Sequence, residues 1–387
     1  MKEGIKPPTK ANLLVRKIAT IGAVISLSLT PFVPAGAANA RTPQTENNES
    51  TKLIGAVQSV NRDSSVLIPP ANFQDKSESI FADKHPRLIL VLGGGAGKSV
   101  TQIGVIRALE KHHIPIDAVV GTSMGATIGA LYCAGVPIDD IETMFLDKSL
   151  HHTIMSGVIK GMILHPLAKI TYLATGRPYA GTSKATGYLK FLKKHLPPTF
   201  AELKKPFAAV ATNITDGRTC VFSSGNLPES VLASCSVPLI FKPVDIGGKL
   251  YVDGGLNANL PANIAQKLGE GVVVSVLCDN SIKPVPNETF KSKLGVIGRV
   301  VDIMIAAADH RQAGETDVLI YPNVDFVPAV TKDPAILKKA ITAGEDAANQ
   351  VISKIESKLA ANEKSVDKHH KQLTLSRATL GSSPDLR

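Results

Sequence analysis

The chain has 387 residues, of which 44% are hydrophobic and 4% aromatic, and it carries a formal net charge of +10 at pH 7. Its length and apolar content are those of an ordinary globular protein able to bury a sizeable core. Lysines and arginines are scattered and do not alternate with aromatic residues, so we expect no nucleic-acid partner. The positive charge suits either solubility alone or peripheral contact with an anionic membrane.

The first forty residues have the pattern of an export signal. Basic residues precede an apolar stretch over 18–29, and Ala38-Asn39-Ala40 forms a small-residue cleavage site before Arg41. The stretch is shorter than the ~20 apolar residues that a membrane span needs. We therefore expect a cleaved signal peptide over 1–40 and a periplasmic or secreted protein of bacterial type. The alternative is an uncleaved N-terminal anchor.

Composition divides the remaining chain into four parts. Residues 41–84 are polar and predict a partly disordered linker. Residues 85–330 carry the strong apolar runs and predict one catalytic domain. Residues 331–361 predict a C-terminal helix that packs on this domain, and 362–387 form a basic tail that we expect to be disordered.

Within the domain, apolar runs alternate with helical patterns. Strands are predicted over 88–92, 116–120, 207–211, 219–222, 249–252, 272–277 and 318–321, and helices over 105–113, 126–132, 230–236 and 334–359. This order predicts an α/β fold with three α/β/α layers and a mostly parallel central sheet. An apolar segment over 155–173 fits either a lipid-facing lid or a pair of core helices.

Residues 121–125 read Gly-Thr-Ser-Met-Gly, the G-x-S-x-G pattern of a nucleophile elbow. The apolar run before it predicts a strand, and the small residues after it predict a buried helix. A tight strand–turn–helix corner strains the serine backbone, and Gly121 and Gly125 let the two elements approach. Ser123 is therefore the candidate nucleophile. A tight turn with no catalytic role is the alternative.

Asp253 is the candidate base for this serine. It ends the predicted strand over 249–252, and Gly254 and Gly255 allow a sharp turn directly after it. We expect Asp253 to project where a parallel sheet gathers its active-site residues. A plain Asp-Gly-Gly turn is the alternative interpretation.

A glycine-rich loop, Gly93-Gly94-Gly95-Ala96-Gly97-Lys98-Ser99, follows the first strand. Successive backbone amides in such a loop form a concave anion site that suits an oxyanion. The loop also partly matches the phosphate loop of nucleotide hydrolases, G-x-x-x-x-G-K-[ST]. That pattern requires glycine where this chain has Leu92, so the nucleotide-binding alternative has a loop that is one residue short.

The order glycine-rich loop, G-x-S-x-G and D-G-G resembles the patatin-like phospholipase family over about 88–321. In this resemblance the first family motif falls on residues 94–99, with Lys98 in the basic position, while Ala96 and Ser99 replace glycines. A Cβ at residue 96 penalises a positive φ there. The segments 207–213 and 233–243 are further likenesses.

The resemblance implies a patatin-like α/β/α fold and a lipid acyl hydrolase with a Ser123–Asp253 dyad and no histidine. It implies an oxyanion hole formed by the amides of Gly94, Gly95 and Ala96, supported by Gly97 and Lys98. Its substrates would be phospholipids or related fatty-acyl esters, with no cofactor. The sequence contains no calcium loop of the EF-hand type, so we also expect no metal. A catalytically silent lipid-binding protein is the alternative that the altered loop leaves open.

Two residue types remain to be placed. His310 follows Asp253 in the order of an α/β-hydrolase triad, but its helix is polar, so we interpret it as a surface residue. The four cysteines, Cys133, Cys220, Cys235 and Cys278, lack metal-ligand spacing. We expect buried free thiols, with a disulfide as the alternative.

Overall fold

The computed structural model describes residues 87–365 except 148, 149, 151, 152, 154–184, 239, 279–281, 329 and 330. The predicted signal peptide, the predicted linker, the apolar segment over 155–173 and the tail beyond residue 365 lie outside the described residues. None of the helices in the described part of the chain has the length and apolar content needed to cross a membrane.

Eight strands form one mixed, mostly parallel sheet. They are β1 Leu88–Leu92, β2 Ala118–Thr122, β3 Phe207–Asn213, β4 Thr219–Phe222, β5 Val244–Ile246, β6 Lys249–Asp253, β7 Val272–Val276 and β8 Val318–Ile320. Their order is β5-β6-β3-β2-β1-β7-β8, with β4 also paired to β3. The pairs β3–β2, β2–β1, β1–β7 and β7–β8 are parallel.

Ten helices flank the sheet in the described part of the chain. They are α1 Thr101–Lys111, α2 Met124–Cys133, α3 Ile138–Leu146, α4 Thr186–His195, α5 Leu227–Ser234, α6 Gly255–Ala258, α7 Ala262–Leu268, α8 Lys293–Ala313, α9 Pro334–Asn349 and α10 over 352–365. Because β1 to β2 and β7 to β8 are parallel, each return crosses the sheet through a helix.

The core lies on both faces of the sheet because strand side chains alternate. In β1, Leu88, Leu90 and Leu92 face the larger cluster, which includes apolar residues of α1, α2 and α9. Ile89 and Val91 face a second cluster that includes apolar residues of α7. A strand that is apolar at every position is therefore buried on both sides. These layers confirm the predicted α/β/α fold class.

The edge of β3 that faces β2 is shared by two strands. Strand β2 pairs with residues 207–210 of β3, and β6 pairs with residues 211–213. Strand β4 pairs antiparallel with residues 209–212 and therefore lies on the other edge. Thr122 pairs with Val210 and Asp253 pairs with Ala211. The carboxyl ends of β2 and β6 therefore lie next to each other, and the two strands approach this point from opposite directions.

The structure corrects the orientation expected for the Asp253 strand. Strand β6 runs antiparallel to β3, so Asp253 does not follow a parallel strand of the sheet. It reaches the same place because β6 approaches the end of β2 from the opposite direction. The predicted location was right, but the physical reason for it was wrong.

Other predicted boundaries differ by a few residues. Strands β1 and β4 have the predicted limits, whereas β2 is Ala118–Thr122 and therefore continues to the residue before Ser123. Helix α1 begins four residues earlier than predicted, at Thr101. The C-terminal helix is interrupted at Gln350 and continues as α10. Helix α9 packs on α1, where Gly104 and Gly344 leave room for close backbone approach.

Candidate active site

Ser123 lies at a sharp corner between β2 and α2. Its backbone angles are φ 54° and ψ −129°, a conformation that a residue with a side chain rarely adopts. Such strain costs of order 1–3 kcal/mol and persists only where the surroundings impose it. A Cβ on Gly121 would lie 2.7 Å from the Ala126 Cα, and a Cβ on Gly125 would lie 2.3 Å from the Leu92 carbonyl oxygen. Steric closeness therefore explains both glycines of the elbow.

A second serine holds the elbow from behind. The Ser123 amide donates to Ser234 Oγ at 2.9 Å, and the Ser234 hydroxyl donates to the Val210 carbonyl at 2.6 Å. Ser234 is fully buried at the end of α5. From the sequence, the surrounding segment 233–243 is only a further likeness. Ser234 has no predicted role, because a helix-end serine carries no sequence signal for this contact.

Ser123 and Asp253 form a direct hydrogen bond. The Ser123 hydroxyl donates to Asp253 Oδ2 at 2.6 Å, and the Gly255 amide donates to Asp253 Oδ1 at 2.7 Å. Asp253 is 6% exposed. Burial raises the pKa of its carboxyl group from 3.8 to about 6, although the two hydrogen bonds oppose this increase. A carboxylate with a raised pKa is a stronger proton acceptor than an exposed one.

The turn after Asp253 is packed against the elbow. A Cβ on Gly254 would lie 2.3 Å from the Val210 carbonyl oxygen and 3.0 Å from the Thr122 Cγ2. A side chain at residue 254 would therefore separate β6 from the elbow. Gly255 begins the short helix α6 and supplies the amide that holds Asp253 Oδ1.

The glycine-rich loop lies beside the nucleophile. A Cβ built on Gly94 would be 3.2 Å from the Ser123 Cβ, so the loop backbone contacts the elbow directly. The Gly93 amide donates to the Val276 carbonyl at 3.2 Å, and the Gly94 amide donates to the Asn259 carbonyl at 3.1 Å. Both amides are therefore engaged in holding the loop.

The predicted oxyanion hole changes in consequence. In this conformation the Gly94 amide is not available to an oxyanion, because it already donates to Asn259. No group among the described residues accepts from the amides of Gly95, Ala96 or Gly97, which lead into the 3-10 helix Ala96–Val100. Lys98 lies half-buried in that helix.

Ala96 has a φ of +49°, the left-handed conformation that a Cβ penalises. An L-residue pays roughly 1 kcal/mol for such a conformation, which glycine adopts freely. The side chain of Ala96 is exposed, so nothing in the packing forces a clash. The alanine therefore alters the energy of the loop and leaves its amide in place.

A buried polar pair that the sequence analysis missed supports the loop. Asn259 Nδ2 donates to Asp309 Oδ2 at 2.8 Å and to the Gly94 carbonyl at 3.4 Å. Asn259 is 4% exposed, as is Asp309 on α8. A Cβ on Gly94 would lie 2.3 Å from Asn259 Oδ1. Asn259 therefore contacts the loop through both its backbone and its side chain.

A comparison with known protein families identifies the same part of the chain. A model of the patatin-like phospholipase family matches residues 90–265, a range that contains the glycine-rich loop, Ser123 and Asp253. This part of the chain is a patatin-like phospholipase domain. The family predicted from the three motifs is thereby confirmed.

Two curated relatives of this patatin-like domain are each 30% identical to the chain. One is patatin-like phospholipase domain-containing protein 6 from Mus musculus, aligned over 226 residues, which are 54% of this chain and 16% of the relative. The other is an uncharacterized NTE family protein from Mycobacterium tuberculosis, aligned over 183 residues, 47% of this chain and 46% of the relative. The chain thus spans less than half the length of either relative.

Solved structures also resemble the patatin-like domain. VipD from Legionella pneumophila aligns with a TM-score of 0.38 and 16% identity, covering 71% of this chain and 67% of that chain. The type III effector protein ExoU aligns with a TM-score of 0.31 and 15% identity, covering 70% of this chain and 53% of that chain.

The remaining candidates are His310 and the four cysteines. His310 is exposed on α8, whereas the Ser123 hydroxyl is bonded to Asp253. None of the four cysteines forms a disulfide, and burial raises the pKa of Cys235 to about 12. A thiol with such a pKa stays protonated near neutral pH. In the described part of the chain, no three His, Cys, Asp or Glu side chains cluster as metal ligands.

Proposed function

We propose that this protein is a serine lipid acyl hydrolase that cleaves fatty-acyl ester bonds of phospholipids or related lipids. The observation that carries the proposal is the 2.6 Å hydrogen bond from the strained Ser123 to the buried Asp253. Nucleophile and base within hydrogen-bond reach are the signature of an activated serine. The phospholipase name of the matching family supports a lipid ester as the substrate.

In the first step, Asp253 accepts the Ser123 proton while the serine oxygen attacks the ester carbonyl carbon. The carbonyl oxygen becomes an oxyanion, which we assign to the amides of Gly95 and Ala96. Collapse of the tetrahedral intermediate breaks the ester bond. Asp253 then returns the proton to the departing alcohol, and the acyl group remains on Ser123.

In the second step, water replaces the alcohol. Asp253 accepts a proton from water as the water oxygen attacks the acyl carbonyl, and the same amides hold the second oxyanion. Breakdown of this intermediate releases the fatty acid and returns the proton to Ser123. The Gly255 amide keeps Asp253 oriented throughout, because it binds the carboxylate oxygen that Ser123 does not use.

Two features of the loop support its assigned role. The amides of Gly95 and Ala96 precede a helical turn, where the backbone dipole favours negative charge. Lys98 lies in that turn, and we assign it to positioning the loop or to contacting a phosphate head group. Loss of one oxyanion donor in such a site costs about 3 kcal/mol of barrier.

The proposal includes export and membrane contact. Export rests on the cleavage pattern before Arg41, and the mature N-terminus of protein recovered from the periplasm of a bacterial host is expected to be Arg41. An N-terminus at Met1 in that fraction would contradict cleavage. Contact with anionic lipid rests on the positive net charge, which is +10 for the whole chain and stays positive without residues 1–40. The mechanism requires neither metal nor cofactor.

A fluorophosphonate probe tests the central claim, because it labels serines that a base has activated. We expect a single labelled peptide containing Ser123 in the wild-type protein and no label in Ser123→Ala. We also expect Ser123→Ala to lose at least about 1,000-fold in turnover of a phospholipid ester. The substitution is small, so the melting temperature should change little.

The same experiment separates the two alternatives. A nucleotide-binding protein would show melting stabilised by ATP and no label on Ser123. A catalytically silent protein would bind lipid vesicles without labelling or turnover. Wild-type turnover in Ser123→Ala would remove this serine from the mechanism.

A further inference from the structure

Helix α8 carries an exposed apolar face. Five large aliphatic side chains in its first three turns are between 43% and 50% exposed, namely Val296, Ile297, Val300, Ile303 and Met304. The spacing i, i+1, i+4, i+7, i+8 places them on one side of a helix. We refer to these five residues as the apolar stripe. In a globular protein such a helix face is ordinarily buried against the core.

The C-terminal part of the same helix is connected to the catalytic loop by hydrogen bonds. Asp309 accepts a hydrogen bond from Asn259, whose carbonyl holds the Gly94 amide beside Ser123. From Asp309 back to the start of α8 at Lys293 there are sixteen residues, or about 24 Å of helix. The apolar stripe therefore lies on a helix that extends away from the catalytic loop.

Two other exposed apolar residues lie at the carboxyl ends of the parallel strands, the edge of the sheet where Ser123 lies. Ile214 directly follows β3, and Tyr321 directly follows β8; they are 45% and 41% exposed. Ser123 directly follows β2. Because β2, β3, β1, β7 and β8 run in the same direction, these strand ends share one edge. Two exposed apolar side chains therefore lie at the edge of the sheet that presents the nucleophile.

We propose that the apolar stripe of α8 is the surface by which this protein docks on an anionic lipid bilayer. The inference rests on the proposed function and deepens it, because a lipid hydrolase must approach its substrate at the bilayer surface. A helix with an apolar face inserts into the boundary between head groups and acyl chains. Residues 1–40 carry five basic residues and one acidic residue, so the chain without them keeps a net charge of +6 out of +10. This charge attracts the protein to acidic lipid before insertion.

The chemistry of the stripe favours a bilayer over a protein partner. Protein interfaces rely on Trp, Tyr and Arg anchors that fill pockets, whereas the stripe consists of Val, Ile and Met only. A single helix face is also convex, and acyl chains adapt to a convex surface. Lys283 and Lys291, which are 60% and 79% exposed, lie shortly before α8, each near an acidic side chain. Their charges are therefore locally balanced, and the long-range attraction comes from the whole chain.

The absence of tryptophan from the sequence gives a clean reporter. Val300→Trp, placed in the Ser123→Ala protein so that no lipid is cleaved, carries a single indole on the stripe. With phosphatidylglycerol vesicles we expect its emission to shift to the blue. Gln350→Trp in the same background is the control, because the helix before it packs on the opposite face of the sheet. Its emission should not shift.

Vesicle flotation tests the same surface without a reporter. Replacing Val300, Ile303 and Met304 together by Gln should weaken binding to phosphatidylglycerol vesicles at least about tenfold. The matched control replaces the same three residues by Leu, which keeps the face apolar, and should bind as the parent does. Both sets are made in the Ser123→Ala protein, so binding is measured apart from hydrolysis.

Activity of the Gln variant with Ser123 restored distinguishes the two proposals. It should hydrolyse a soluble short-chain ester like the wild type and lose at least about tenfold on vesicles. No turnover of any ester would refute the proposed function and leave the binding result standing. Unchanged vesicle binding by the Gln variant would overturn the docking surface. A blue shift that follows protein concentration without lipid would also overturn it and would identify a second copy as the occupant.

Discussion

The elbow after β2 and the glycine-rich loop after β1 are neighbouring turns with similar sequences, but the structure holds them in different ways. In the elbow, added Cβ atoms on Gly121 and Gly125 would lie 2.3–2.8 Å from backbone atoms. In the loop, Ala96 already carries a Cβ at a positive φ, and its side chain is exposed. Backbone packing sets the elbow, with one hydrogen bond from Ser123 to Ser234, whereas the loop depends mainly on hydrogen bonds to Val276 and Asn259.

This difference separates two ways of positioning catalytic groups. The elbow fixes one atom, the Ser123 oxygen, through a strained backbone that its packing enforces. The loop places a row of amides through Asn259 and the strand β7, so its geometry depends on polar contacts made by residues far away in sequence. Substitutions at the elbow should therefore cause large losses of stability or of turnover, while substitutions at the loop should change activity only in part.

The largest loss of activity is expected when Asp253, the carboxylate that accepts from Ser123, is replaced. Asp253→Asn keeps the shape of the side chain but cannot accept a proton, so turnover should fall at least about 1,000-fold. In the wild type, kcat/KM should rise with pH and reach half its maximum near pH 6, because burial raises the pKa of Asp253 to about 6. A pH profile without a step in this range would point to another base.

Asp253→Asn is also expected to change the free energy of unfolding. The pKa of Asp253 is raised on folding, so between about pH 4 and pH 6 the native state binds more protons than the unfolded state. This contribution to stability is present at acidic pH and is lost as pH rises through the folded value. Asp253→Asn should therefore raise the free energy of unfolding at pH 8, by up to about 3 kcal/mol. Urea denaturation at pH 4 and pH 8 measures the difference.

Steric closure of the elbow is tested by Gly125→Ala. The new Cβ would lie 2.3 Å from the Leu92 carbonyl oxygen and 2.6 Å from that of Gly93, so we expect a loss of about 3 kcal/mol or more in unfolding free energy. Gly298→Ala is the control, because nothing lies within 4 Å of that Cβ. It should stabilise α8 by about 0.5–1 kcal/mol. Equal effects at the two positions would remove the steric argument.

The hydrogen-bonded support of the loop is tested at Asp309. Asp309→Leu removes the acceptor of the Asn259 side chain, and we expect kcat on a soluble ester to fall about 10–100-fold. KM should change little, because the amides act on the transition state. Asp309→Asn keeps an acceptor oxygen and should recover most of the rate. If both variants lose the same activity in proportion to lost stability, the role of Asp309 is structural only.

The smallest effect is expected at Ala96. Ala96→Gly removes the cost of a positive φ but makes the unfolded chain more flexible, so the two terms nearly cancel and stability should change by less than about 1 kcal/mol. Activity should stay the same or rise a few-fold. Thermal melting and ester kinetics measure both. A large loss of activity would show that the loop has been assigned to the wrong family positions.

The sequence motifs were sufficient to predict the family, the fold class and the candidate pair of nucleophile and base, Ser123 and Asp253. Local sequence suffices for these inferences, because a strand–turn–helix corner and a glycine-rich turn are set by neighbouring residues. The roles of Ser123 and Asp253 in catalysis stay a prediction that the experiments above address.

Only the tertiary structure decided how these groups meet. The edge of β3 is shared by β2 and the antiparallel β6, and no local pattern in either strand encodes that arrangement. Ser234 binds the elbow across 111 residues of sequence, Asn259 binds the loop across 165, and Asp309 binds Asn259 across 50. Hydrogen bonds over such separations form only once the layers have packed, which is why the amide of Gly94 seemed available in the sequence and is engaged in the fold.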